Sequence, residues 1–178
     1  GHWPMVRDYV NILDKKNWDL FGIYAMIIWT LALVIVPGLV YSLSWASARW
    51  TKSKLHVKEV FLNSAGAILP LGLMMWIAFV IPMLFVNITF IIQSASDPFG
   101  WGWDFFGTAN IPWHQFLPRL VPWLQTLLIL TGLHFSLRNL RRTWNRYDLS
   151  TAQLIRMVLP MGALIIASAA AMLVFFTN

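Results

Sequence analysis

The run from Leu20 to Leu43, LFGIYAMIIWTLALVIVPGLVYSL, decides what kind of protein this is. It contains no charged side chain and is longer than the roughly 20 residues a helix needs to cross a hydrocarbon layer of about 30 Å. Soluble core helices do not use apolar blocks of this length. Three further blocks follow, Pro70 to Ile92, Leu120 to Leu137 and Leu154 to Phe176. The chain is 58% hydrophobic and 11% charged, where an ordinary soluble domain carries about a quarter charged residues. The expected architecture is an all-α integral membrane protein with about four transmembrane helices and an amphipathic extension before the second. The connections are too short to form an independent globular domain. Residues 1–19 read as an interfacial lead-in and 20–178 as a four-helix transmembrane domain.

The lead-in mixes Trp3, Tyr9 and Trp18 with Arg7, Asp8, Asp14, Lys15, Lys16 and Asp19, a composition suited to the headgroup layer. In the first helix, Pro37 and Gly38 predict a bend in the far half. From His56 to Ser94 there is no strong break, and a helix of that length rises about 58 Å, nearly twice the hydrocarbon thickness. An amphipathic stretch from His56 to Leu69 followed by a span from Pro70 to Ile92 accounts for it. A re-entrant hairpin turning near Pro70 or Pro82 is the alternative. Pro82 predicts a kink whose freed carbonyl finds a donor on a neighbour or a small side chain. The third helix is expected to begin after Pro112 and Trp113 and to end near Arg138. In the fourth, Gly162, Ala163, Ala167, Ser168 and Ala169 to Ala171 form a small-residue surface for close helix approach.

The net charge of +6 does not point to nucleic acid, because the cations flank helix ends. Arg49, Lys52, Lys54 and Lys58 follow the first helix and Arg138, Arg141, Arg142 and Arg146 the third, whereas Ser96 to Asn110 holds none. Both basic turns are expected on the cytoplasmic side. An even number of crossings then puts both chain ends and the Trp-rich loop on the opposite, extracytoplasmic side.

The absence of cysteine excludes disulfides, thiolate iron–sulfur ligation and thiol catalysis within the chain. No GxGxxG, Walker loop, HExxH or nucleophile elbow occurs, and no aspartate pair lies at membrane depth. Ionisable groups near the membrane are where function is sought. His56, Glu59 and Asn63 share one helical face by their spacing, and His134, four residues before Arg138, is expected at a similar depth. Three readings are open for this set. The histidines are interfacial and ligate nothing; or His56, Glu59 and Asn63 bind a quinone headgroup and exchange its protons; or His56 and His134 together ligate a haem b. His114, Gln115 and Arg119 read either as a lipid or quinone headgroup contact or as a snorkelling arginine with its neighbours. Trp101, Trp103 and Phe105 read as a docking surface for a redox partner or as part of an interfacial aromatic belt.

The segments "PLGLMMWIAF", "VNITFI", "SDPFGWGWDFFGTA" and "PWHQFLPRLVPWLQTLLILTGL" stand in that order between Val60 and Arg142. This order resembles the C-terminal membrane region of bacterial ferredoxin-type membrane proteins of the NapH and NosR kind, which transfer electrons through four-iron–four-sulfur clusters in respiratory chains. The most specific element is Asp97 to Gly107. The resemblance implies a bacterial inner-membrane subunit that handles electrons between quinone and redox partners. Since the cluster cysteines are missing, it implies the scaffold portion, with iron–sulfur clusters or haems in partner subunits. A purely structural accessory subunit is the alternative. Four helices with almost no internal charge leave little to bind a transported polar solute.

Overall fold

The computed structural model describes residues 18–52, 55–112, 114 and 116–177, and every regular element among them is helical. Helix α1 (Trp18–Thr30) passes through a π-helical segment (Leu31–Ile35) into α2 (Val36–Thr51) without a break. Helix α3 is Val57–Ser96, α4 is Val121–Trp144 and α5 is Thr151–Thr177. Three helices, Trp18–Thr51, Val57–Ser96 and Thr151–Phe176, are long and apolar enough to cross a bilayer. Of the expected lead-in over residues 1–19, residues 1–17 lie outside the described residues, as do Lys54, Trp113 and Gln115, and Trp18 and Asp19 belong to the first turn of α1.

The described residues form two compact units, 18–66 with 140–163, and 67–139 with 164–177. In the first, where a bend is expected at Pro37, the helix is continuous and the turn before the proline is π-helical. Proline has no N–H and its ring crowds the carbonyl four residues back, and the chain widens into a π turn in which Val36 N–H reaches back to Leu31 O. No residue from Trp18 to Ile35 is buried. Burial begins in α2 on one face, with Val40, Ser44, Ser47, Ala48 and Thr51. The hydroxyls on that face are satisfied within the helix, Ser44 Oγ donating to Val40 O and Thr51 Oγ1 to Ser47 O, both at 2.7 Å. The helix therefore runs well past Leu43, where the apolar block ends. It stops because Lys52 turns left-handed, at φ 49°.

Ser150 and Gln153 cap α5 reciprocally, Ser150 N–H donating to Gln153 Oε1 (3.1 Å) and Gln153 N–H to Ser150 Oγ (3.4 Å). Gln153 Nε2 also donates to Thr51 O (3.5 Å). The end of α2 and the start of α5 are thus adjacent, so the turns after α2 and α4 lie on one side of this unit. Val60, Leu140, Trp144, Met157 and Met161 fill its interior.

In the second unit α3 remains one helix across both prolines, with no hairpin at either. It pairs antiparallel with α4 through three successive contacts. Leu71 N–H donates to Ser136 Oγ (2.9 Å), Gly132 abuts Leu71 and Met74, and Gln125 Nε2 donates to Ala78 O (2.9 Å). Ala78 is four residues before Pro82, so Gln125 supplies the donor that Pro82 withholds. A side chain at Gly132 would bring a Cβ to 2.9 Å from Met74 Cβ and 3.1 Å from Leu71 Cα. α4 starts later than expected, because Leu117 at φ 45° with Pro118 and Pro122 holds the preceding residues out of a helix. It also ends later, at Trp144 rather than Arg138.

Candidate functional site

The first turns of α3 and the loop after α4 form an open cleft of about 310 Å³ in the first unit, lined by His56, Lys58, Glu59, Leu62, Asn63 and Tyr147. The helical spacing of His56, Glu59 and Asn63 sets them along one side of it. His56 begins the helix, its carbonyl accepting from Glu59 N–H (2.9 Å) and Val60 N–H (3.2 Å), and its ring Nδ1 lies 3.4 Å from Lys58 N–H. Opposite stands Tyr147, which the sequence reading did not single out. Its hydroxyl donates to Glu59 Oε1 and accepts from Asn63 Nδ2, each at 2.8 Å. The three side chains make a directed chain from amide through phenol to carboxylate.

Tyr147 is placed by the turn that ends α4. Its N–H donates to Trp144 O (3.2 Å), and its carbonyl accepts from Leu149 N–H (2.8 Å). The fully buried Trp144 sets its ring 5.4 Å from the phenol. The hydrogen bond to Glu59, then burial, raises the Tyr147 pKa above its ordinary value, so the neutral phenol is favoured. Sequence offered one weak signal for it, a tyrosine among Arg146, Asp148 and the preceding arginines, which reads as an ordinary basic turn.

The cleft offers a donor to an uncharged oxygen acceptor. Asn63 carries two N–H groups, of which one serves Tyr147, and the exposed Leu62 offers an apolar face. His134 is exposed on α4 in the second unit, with its ring 5.6 Å from Phe135. Among the described residues no group of three or more His, Cys, Asp or Glu is placed to hold a metal ion.

The Trp-rich loop in the second unit is fixed by its two carboxylates. Asp97 accepts from Trp101 N–H and Gly102 N–H, both at 2.9 Å, with Gly100 and Gly102 at φ 67° and 81°, where only glycine is unstrained. Asp104 accepts from the buried Ser96 Oγ (2.7 Å) and from Ala109 N–H (3.0 Å). The Ser96 hydroxyl first, then backbone N–H groups, lower its pKa below the ordinary carboxylate value. With both carboxylates engaged on the loop's own polar groups, its rings face outward in mutual contact. Trp101 stacks on Phe99 at 4.9 Å and meets Trp103 edge-on at 4.9 Å, and Trp103 meets Phe105 at 5.1 Å. His114 and Arg119 are exposed in the segment that returns toward α4, and the His114 carbonyl accepts from Thr89 Oγ1 (3.2 Å).

No family model, curated protein or solved structure matches this chain.

Proposed function

We propose that this protein is the membrane-anchor subunit of a multi-subunit electron-transfer complex in a bacterial inner membrane. The observation that carries the reading is the first helix. From Trp18 to Ile35 its one charge is Asp19 in the first turn, and no residue is buried against the other described residues, with only Tyr24 and Ala25 half-buried. A helix that crosses lipid gains little from its own bundle here, and it offers most of its circumference to helices of other subunits. The resemblance of residues 60–142 to ferredoxin-type membrane proteins supplies the electron-transfer class, with the iron–sulfur clusters or haems carried by those partner subunits.

Four crossings fit this reading, with α4 as the shortest. Its uncharged part, Val121 to Leu137, rises about 26 Å, and its antiparallel contacts with α3 support a return through the same layer. The two basic turns then face the cytoplasm, and the chain ends and aromatic loop face the other side. In the Glu59–Tyr147–Asn63 cleft a quinone oxygen accepts from the second Asn63 N–H, and Glu59, held in place by the Tyr147 hydroxyl, takes up the proton that a bound quinol releases. His56 and Lys58 favour the anionic form of a reduced headgroup.

The test is extraction of the protein in native lipid, identification of the copurifying chains and cofactors, and quinol turnover of the complex. Glu59→Gln slows turnover while leaving the subunit composition unchanged. Normal kinetics in that variant remove the quinone role, and absence of any redox partner removes the anchor role. A purely structural accessory subunit is the second reading. It is favoured by the same hydrogen-bonded chain, which latches α3 to the loop after α4 without needing a ligand.

A further inference from the structure

The last turns of α3 do not stand alone. The non-helical segment after the aromatic loop runs back beside them, with Phe105 N–H donating to Ser96 O (3.2 Å), Thr108 Oγ1 to Ile92 O (3.3 Å), Gln93 Nε2 to Ile111 O, Thr89 Oγ1 to His114 O (3.2 Å) and Phe116 N–H to Phe85 O (3.2 Å). Irregular backbone does not face hydrocarbon, because its N–H and C=O groups have no water there. The lipid boundary on α3 therefore lies near Phe85, and the sequence agrees. No charged or amide side chain occurs from Ser64 to Val86, whereas Glu59 and Asn63 precede that run and Asn87 and Gln93 follow it. The uncharged run rises about 35 Å, one tilted crossing. Asn87 to Ser96 then rises about 15 Å beyond the hydrocarbon, while the headgroup layer is only about 5–8 Å deep. A tilt of about 40° still leaves more than 11 Å.

We infer that the aromatic tip formed by Phe99, Trp101, Trp103 and Phe105 stands clear of the lipid and is covered by the extramembrane domain of a partner protein that presents arginine or lysine side chains. This rests on the anchor-subunit reading. Lipid headgroups do not reach the tip, and water is a poor environment for four contiguous exposed rings. The ring faces attract cations. The segment from Asn87 to Pro118 carries two carboxylates and no lysine or arginine, so a basic partner meets no like charge. The loop is already held by Asp97 and Asp104, so docking orders little further backbone.

The lack of native cysteine makes the inference directly testable. Phe79→Cys, Phe90→Cys and Phe106→Cys replace side chains that are 66%, 59% and 71% exposed and leave all four tip rings in place, and their reaction with a charged, membrane-impermeant maleimide is followed in native membranes and in nanodiscs holding the isolated chain. Phe79→Cys stays unreactive in both. Phe90→Cys and Phe106→Cys react in nanodiscs, and Phe106→Cys reacts at least tenfold more slowly in native membranes. Far-ultraviolet circular dichroism matching wild type confirms that each variant is folded. Phe106→Cys unreactive in lipid nanodiscs but reactive in detergent means that lipid covers the tip, which overturns the inference. Slowing that appears with two chains per nanodisc assigns the cover to a second copy, with the same consequence. Copurifying redox subunits with an unprotected Phe106→Cys overturn the docking face alone. Their absence overturns the anchor reading as well.

Discussion

Gln125 on α4 donates to the Ala78 carbonyl on α3 and so repairs a defect that α3 carries in its own sequence. Pro82 leaves the Ala78 carbonyl without its helical donor, and Gln125, 5% exposed, supplies the missing N–H at 2.9 Å. The proline site and the helix pairing are therefore one feature. Gln125→Leu should lower the stability of the folded chain by about 0.6–1.7 kcal/mol, the range of interhelical hydrogen bonds in membranes. In a Pro82→Ala background the regular helical bond returns to Ala78 and the same substitution should cost much less. Unfolding of the four variants in mixed micelles measures that coupling, and equal costs in both backgrounds would show that the carbonyl does not need Gln125.

Gly132 marks the closest approach of the same two helices. Alanine is the better helix former by about 1 kcal/mol, yet its Cβ would stand 2.9 Å from Met74 Cβ and 3.1 Å from the α3 backbone at Leu71. Gly132→Ala should be destabilising, by about 1–3 kcal/mol as for other overpacked sites. Gly162→Ala, whose added Cβ would meet nothing closer than Leu140 Cδ2 at 3.8 Å, should be neutral or stabilising. Thermal unfolding of the two variants in one detergent checks the contrast.

Tyr147 titrates above the ordinary tyrosine value because Glu59 holds its proton. A raised folded-state value means that this interaction contributes stability fully below about pH 10, the unfolded value. The contribution is lost as pH rises through the folded value. Absorbance near 295 nm, taken as the difference between wild type and Tyr147→Phe, should show a phenol ionising above pH 10, and Glu59→Gln should move it down. A Tyr147 titration unaffected by Glu59→Gln would show that the carboxylate does not hold the phenol proton.

Asp104 behaves in the opposite sense. Its value is lowered by Ser96 and by backbone N–H groups, so the lock it provides is present above the ordinary carboxylate value and is lost as pH falls through the lowered one. Tryptophan fluorescence of the loop should stay constant down to about pH 4 and change only below it. In Ser96→Ala the transition should move to higher pH. A transition already complete near pH 5 in wild type would contradict the lock.

The membrane class was legible in sequence because uncharged length is a property of composition alone. The face shared by His56, Glu59 and Asn63 was legible because helical spacing is local, and these residues do line one cleft. Tyr147 was not, since its role depends on a contact made 84 residues from Asn63 and 88 from Glu59. Element ends were misread where charge served as a stop signal. Arg49 and Arg141 ride on helices that extend to Thr51 and Trp144, because a solvated arginine is a good helix former. The π segment before Pro37 and the late start of α4 arise from backbone geometry that residue types suggest only in part.

The central claim is that this chain anchors other subunits, and the mass of the particle extracted from native membranes in a lipid-retaining polymer tests it most directly. The account predicts a particle well above the 20.5 kDa of this chain, containing at least one further polypeptide with a redox-active absorbance. A particle made of this 20.5 kDa chain and lipid alone would contradict it.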